Sequence, residues 1–273
     1  MSDTVINQHE RANRIWPILV RYATLQKTIT YGKLSKLTGI HHRALRYCLS
    51  PIQDYCMTVN IPPLSILVVN QTGLPGSGFI AINSDYFEEG FQEVFEFFPK
   101  NPDNPFSFAA DGTSYNDLLN SLLEEPEESL DVFAKVKVRG IAQTLFRDAL
   151  IVAYENRCAF SDISFTETLE AAHIVPWSEC DRGDRCNLRN GLLLSSLHHK
   201  LFDPNWITIT EEYRIEFRDP KMIDGSYTAS DKALVMALHR QKMLLPRDKR
   251  YWPDLRLIRN RNEKLGWKIS TNQ

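Results

Sequence analysis

"LEAAHIVPW" (residues 169–177) and "NGLLLSSLHHKLFD" (190–203) are the two stretches that decide the fold. The first is an apolar, strand-like run that reaches His173 and then meets Pro176 and Trp177. A buried strand gains nothing from an imidazole, so His173 is either a core histidine with a satisfied hydrogen bond or a catalytic base. A polar loop, "SECDRGDRCNLR", separates the two stretches, and together they imply a strand, a loop, a helix and then more strand. The helix "SSLHHKLFD" must stop before Pro204 and Asn205. On it His199 and Asp203 stand four residues apart, which puts an imidazole and a carboxylate on one face with Cβ atoms about 5–6 Å apart. Such a pair can hold a metal, or it can be an ordinary contact on a helix surface.

The rest of the chain sets the frame. At 273 residues it suits two ordinary domains, and 43% hydrophobic with 24% charged residues is the balance of a folded globular protein. The polar start, "MSDTVINQHERANR", has no signal-peptide character, and runs such as "LSILVV" are too short to span a bilayer, so a cytoplasmic protein with no membrane partner is expected. Five cysteines form no CxxC pair, which argues for free thiols. Charge is segregated: residues 1–60 hold eight basic and three acidic side chains, residues 213–273 fourteen and seven, and residues 61–132 one and thirteen. Basic ends suit a polyanion partner, although solvated faces alone would also produce them.

An N-terminal block, residues 1–98, opens with a helical period in "ERANRIWPILVRYATL" and continues as two short helices in "TITYGKLSKLTGIHHRALRYCLSPI". Gly39 stands where the first of these would end, and Arg43 and Arg46 would share one face of the second. "IPPLSILVVNQTGLPGSGFI" reads as strand, turn and strand, a wing in outline. The block resembles the DNA-binding module of the alkyltransferase-like family in Tyr31-Gly32-Lys33-Leu34, Arg43-Ala44-Leu45 and Ile61-Pro62. Where that family carries its alkyl-accepting cysteine this chain has Pro63, so the resemblance implies DNA docking through Tyr31, Lys33, Arg43 and Arg46 without the transfer chemistry. A small helical interaction domain is the alternative. Residues 99–132 read as a linker with a short helix, and an amphipathic helix in "VKVRGIAQTLFRDALIVAYENRC", marked by Ile141, Leu145, Leu150 and Val152, opens the second domain, 133–273.

The helix pair does not stand alone, because His173 and Asn190 precede it. His173, Asn190, His199 and Asp203, set in "EAAHIVP", "NGLLL" and "HKLFD", resemble the HNH endonucleases, the ββα-metal nucleases. The fold expected is therefore α+β, a winged-helix-like domain joined to a ββα-metal nuclease domain. The resemblance implies His173 as the base that deprotonates water, a role that neutral imidazole fits near neutral pH. It implies His199 and Asp203 as ligands of one divalent ion, Mg²⁺ or Mn²⁺, and Asn190 as the residue that orients the base, with Asn187 a weaker candidate.

Two departures stand out. Ala172 occupies a position where many relatives carry a further ligand, and Glu170, two residues earlier on the strand, is the candidate substitute, although an ion pair suits it equally well. The two-CxxC zinc brace is broken: Cys158 remains, but Ser161, Leu194 and Leu197 stand at the other positions, so no structural zinc is expected. His198, about 100° round the helix from His199, is expected to face phosphate or solvent, and Trp177 and Trp206 read as packing aromatics. The leading reading is a metal-dependent DNA endonuclease of a restriction or defence setting, acting as a homodimer where both strands are cut. A catalytically inactive DNA-binding protein and a nuclease effector switched on by a partner or ligand are the alternatives.

Overall fold

Helix α1 (Gln8–Thr24) is written by its apolar stripe: Ala12, Ile15, Trp16, Leu19, Val20 and Ala23 recur at helical spacing and are all buried. Asn7 starts it, its side chain accepting from the backbone N–H groups of His9 and Glu10. The computed structural model describes residues 6–126, 129–136 and 139–267. The chain divides into two compact units, Met1–Leu118 with Lys135–Ala142, and Leu119–Ala134 with Gln143–Gln273.

In the first unit β1 (Ile29–Thr30) leads into α2 (Tyr31–Thr38), capped by Thr30 and ended by Gly39 at φ 71°, a left-handed turn that glycine adopts without strain. A 3-10 turn at His42–Ala44 opens α3 (Leu45–Thr58). Strand β2 (Val68–Val69) pairs in parallel with β1, Ile29 opposite Val68. The second strand expected for a wing does not form. After the single bridge between Val69 and Pro75 the chain enters Gly76-Ser77-Gly78, which offers little side chain to pack, and turns back as Phe79 N–H donates to the Gly76 carbonyl. Helix α4 (Phe87–Phe97) follows.

The stretch expected as a linker contributes to both units. Phe98 and Phe106 meet the edge of Trp16 at 5.6 and 5.8 Å, and Asn104 donates to the backbone of Asn13. Helices α5 (Tyr115–Glu124), α6 (Ser129–Val136) and α7 (Arg139–Ala153) then lead on, α7 burying Ile141, Leu145 and Leu150 while Val152 stays exposed near its end.

The second unit is built on a hairpin. Strand β3 (Leu169–His173) pairs antiparallel with β4 (Gly191–Ser195), in register from Leu169 opposite Ser195 to His173 opposite Gly191. "GLLLS" (191–195) is thus the second strand, and residues 174–190 form the excursion between the two. Helix α8 (Ser196–Phe202) starts without a linker, because Ser195 ends the strand and caps the helix by accepting from His198 N–H. Strands β5 (Ile207–Ile209) and β6 (Ile215–Phe217) form a second hairpin, followed by α9 (Ala229–Leu234) and α10 (Leu255–Lys264). Buried Asn262 on α10 ties the last helix to β5, accepting from the Thr208 hydroxyl at 2.6 Å and donating to the Ile209 carbonyl at 2.8 Å. Among the described residues no helix is long and apolar enough to cross a membrane.

Candidate active site

His199 lies between two carboxylates. Its Nδ1 stands 2.6 Å from Oε2 of Glu170 on β3, and its Nε2 stands 3.3 Å from Oδ2 of Asp203, the residue that caps α8. The other Glu170 oxygen accepts from the Ser196 hydroxyl at 2.7 Å. Glu170, the candidate additional ligand, therefore has both oxygens committed, one of them to steering His199.

The electrostatics follow from this row of groups. The hydrogen bond with Asp203 pushes the His199 pKa up, burial opposes it, and Glu170 adds to the rise. The Asp203 carboxyl is held below its usual value chiefly by that bond, burial opposing, with the charges of His199, Arg261 and His173 helping. Burial works against ionised Glu170, yet Ser196 and His199 outweigh it and its pKa is lowered.

His173 is held on several sides. Its Nε2 lies 3.0 Å from the Arg185 carbonyl oxygen, Phe146 of α7 stacks on the ring at 4.2 Å, and Trp177 meets it edge-on at 5.9 Å. The turn that supplies the carbonyl is itself pinned. Ser129 donates to Gly183 O at 2.6 Å, Asn190 Nδ2 donates to Asp184 O at 3.0 Å, and the Arg185 guanidinium lies 5.3 Å from the ring centroids of both Phe133 and Trp177. Three consecutive carbonyls, of residues 183, 184 and 185, each meet a side chain. Asn190 is wholly buried and its side chain binds backbone: besides Asp184 it accepts from Val175 N–H at 2.9 Å and donates to Val175 O at 3.2 Å. Its place is to staple the 174–190 excursion, and it reaches His173 through the backbone. Asn187, the weaker candidate, accepts from Arg189 N–H at 3.0 Å as a local cap.

His198 departs from expectation. It is 1% exposed, with Nδ1 2.8 Å from Ser195 Oγ and Nε2 3.1 Å from Leu234 O, because the capping serine and the packing of α8 turn it inward. Buried Cys158 completes this knot, its sulfur accepting from Ser195 N–H at 3.2 Å. Burial raises the Cys158 pKa, but the polar groups of His198, Ser161 and Ser195 around the sulfur outweigh it and bring it to about 6. Phe146, Arg185, Ser196 and Gly191 were not legible as site residues, because three of them act through a backbone atom or a stacking face, and Ser196 through a hydroxyl whose partner lies 26 residues away, none of which spacing reveals.

Among the described residues no group of three or more His, Cys, Asp and Glu side chains is gathered so as to hold a metal ion. The two-donor pair nevertheless has suitable spacing. Neighbouring donors of an octahedral ion bonded at about 2.0–2.1 Å stand roughly 2.8–3.0 Å apart, so Nε2 of His199 and Oδ2 of Asp203, 3.3 Å apart, need close by only about 0.3–0.5 Å to share one.

In the first unit Tyr31, Arg43 and Arg46 line one cleft of about 910 Å³ with Gln53 and residues 76–79. Gly76 makes room for the Tyr31 hydroxyl, which a Cβ there would meet at 2.7 Å. Lys33 stands apart from this lining, its amine 5.4 Å from the centroid of the Tyr22 ring.

Residues 158–210 match the family model described as HNH endonuclease. The matched span holds both strands of the hairpin, α8 and every candidate residue of the second unit, so this part of the chain is similar to an HNH endonuclease domain. No curated protein matches the chain.

Proposed function

We propose that the protein is a metal-dependent HNH endonuclease that hydrolyses phosphodiester bonds of DNA, with the first unit docking on DNA and the second cutting it. The observation that carries the reading is the row Glu170–His199–Asp203, with His173 at the end of the strand that bears Glu170, inside the matched span.

A carbonyl oxygen can only accept, so the bond to Arg185 puts the imidazole proton on Nε2 and leaves the lone pair of neutral His173 on Nδ1. That nitrogen takes the proton from the attacking water. Stacked Phe146 and edge-on Trp177 limit rotation of the ring, so the base is oriented before substrate arrives. His199 Nε2 and the Asp203 carboxylate would hold one divalent ion, Mg²⁺ or Mn²⁺, which supplies Lewis-acid stabilisation of charge on the phosphate and the departing oxygen. Glu170 accepts from His199 Nδ1 and so presents Nε2 outward beside Asp203.

Tyr31, Arg43 and Arg46 are the DNA-docking residues of this reading, and Lys33 adds charge to the same unit. A docking unit and a cutting domain on one chain suit a restriction or defence enzyme. One such site cuts one strand, so a double-strand break calls for two copies or two events.

The test is supercoiled plasmid incubated with the whole protein and Mg²⁺ or Mn²⁺. Nicked and then linear DNA is expected, abolished by chelation and strongly reduced by Asp203→Asn. Plasmid that is bound but stays closed under both metals would favour the inactive DNA-binding reading. Cutting that starts only when a cell extract is added would favour the switched effector.

A further inference from the structure

Arg261 lies on α10, outside the span matched by the family model, and is 5% exposed. One terminal nitrogen donates to the carbonyl of Ile174 at 3.0 Å, and the other donates to the carbonyl of Phe202. Its guanidinium also lies 3.8 Å from the centroid of the Phe202 ring. Ile174 is the residue after His173, and Phe202 is the residue before Asp203. The two carbonyls belong to different elements, the exit of β3 and the last turn of α8, which share no backbone hydrogen bond among the described residues.

We propose that Arg261 is a positioning residue, a planar strut that fixes the end of β3 against the end of α8 and thereby sets His173 and Asp203 in register. The inference rests on the nuclease reading given above. A guanidinium presents its donors in one rigid plane, so two carbonyls bound to its two ends are held at a defined separation, which the single ammonium of lysine cannot impose. Simple packing would not call for this residue: a buried cation held by carbonyls and a ring face is expensive, and an apolar side chain of similar volume is often as stable or more so. Burial indeed pushes the Arg261 pKa down to about 10, against the opposing charges of Asp203 and Glu179. The arginine is thus placed where its geometry matters to the two residues beside its acceptors.

The test uses the full chain with Arg261→Met and Arg261→Lys, comparing Mn²⁺ affinity by calorimetry, plasmid nicking, and melting temperature. Met keeps the apolar stem on Phe202 and removes both donors. Mn²⁺ binding and kcat for nicking should each fall about 10- to 100-fold, as when groups that orient a ligand are lost, with KM for DNA unchanged and Lys intermediate. If melting falls but Mn²⁺ affinity and kcat stay within about twofold of wild type, Arg261 is only a packing residue and the proposal is overturned. Should the Met variant fail to fold, the Lys variant decides alone by the same criterion. Wild-type protein that binds Mn²⁺ without ever nicking overturns the nuclease reading and leaves the Arg261 comparison readable in Mn²⁺ affinity. Wild-type protein that binds no Mn²⁺ overturns both.

Discussion

Gly191 lies directly opposite His173 in the β3–β4 ladder, and the space that a side chain would take is filled by α7. A Cβ at Gly191 would meet Phe146 Cζ at 2.6 Å and Leu150 Cδ1 at 2.7 Å, and Phe146 is the ring that stacks on His173. Gly191→Ala should therefore destabilise the protein by about 1–3 kcal/mol, the usual range for overpacking, and slow nicking by displacing Phe146. Adding Phe146→Leu should recover part of the melting temperature without restoring the rate. Chemical denaturation and a plasmid assay on both variants check this.

Asn190 carries a different load. Removing its amide leaves Val175 N–H and the carbonyls of Val175 and Asp184 without their side-chain partner, and opens a hole where Asn190 is wholly buried. Asn190→Ala should cost about 1–3 kcal/mol, from three half-buried backbone groups left without their partner. Cutting should fall together with stability, and Asn190→Asp should not rescue it, since a carboxylate cannot donate to the two carbonyls. Calorimetric melting of the three proteins gives the comparison.

The inward-facing His198 should behave as a structural residue. His198→Ala removes the link from Ser195 to Leu234 and opens a cavity beside Cys158, a loss of about 2–4 kcal/mol. Protein that remains folded below its lowered melting point should still bind Mn²⁺ with wild-type affinity. A large drop in that affinity would reassign His198 to the metal.

The row at His199 makes a pH prediction for the protein without metal. The His199 pKa is raised from 6.5, so its contribution to stability is fully present below that value and fades as pH rises through the folded pKa. Asp203 and Glu170 are lowered from 3.8 and 4.5, so their contributions are present above those values and fade as pH falls through the folded ones. These three groups together favour the folded state most between about pH 4.5 and 6.5. Mn²⁺ must displace the proton of His199, so its affinity should rise with pH through the raised pKa. Calorimetry in two buffers of different ionisation enthalpy should show proton release at pH 6.5 that shrinks at pH 8.5, and equal heats in both buffers at pH 6.5 would contradict the assignment.

Much of the second unit was legible in the sequence. His173 ends a strand, His199 and Asp203 fall on the helix and its cap just before Pro204, and in the first unit Gly39 ends α2, because each depends on short-range periodicity, capping or turn chemistry. The contacts that give these residues their setting were not. The Arg185 carbonyl, the face of Phe146 and the two ends of Arg261 come from segments 12, 27 and 88 positions from His173, and no local spacing announces a backbone acceptor or a stacking ring. The expected second strand of the wing failed for the opposite reason: an extended reading of "GLPGSGFI" rests on little side chain, and turns took its place. His198 was misplaced because helical angle alone does not know that Ser195 caps the helix beside it.

The central claim is that His173 is the base and that His199 and Asp203 hold the ion, two separate tasks in one site. The most direct measurement is His173→Ala in the whole protein, followed in parallel for Mn²⁺ binding and plasmid nicking. Mn²⁺ affinity should stay at the wild-type level while the nicking rate drops by about 10²–10⁴-fold, the range for loss of a general base. A variant that still nicks at the wild-type rate, or one that loses Mn²⁺ and activity together, would contradict this division of labour.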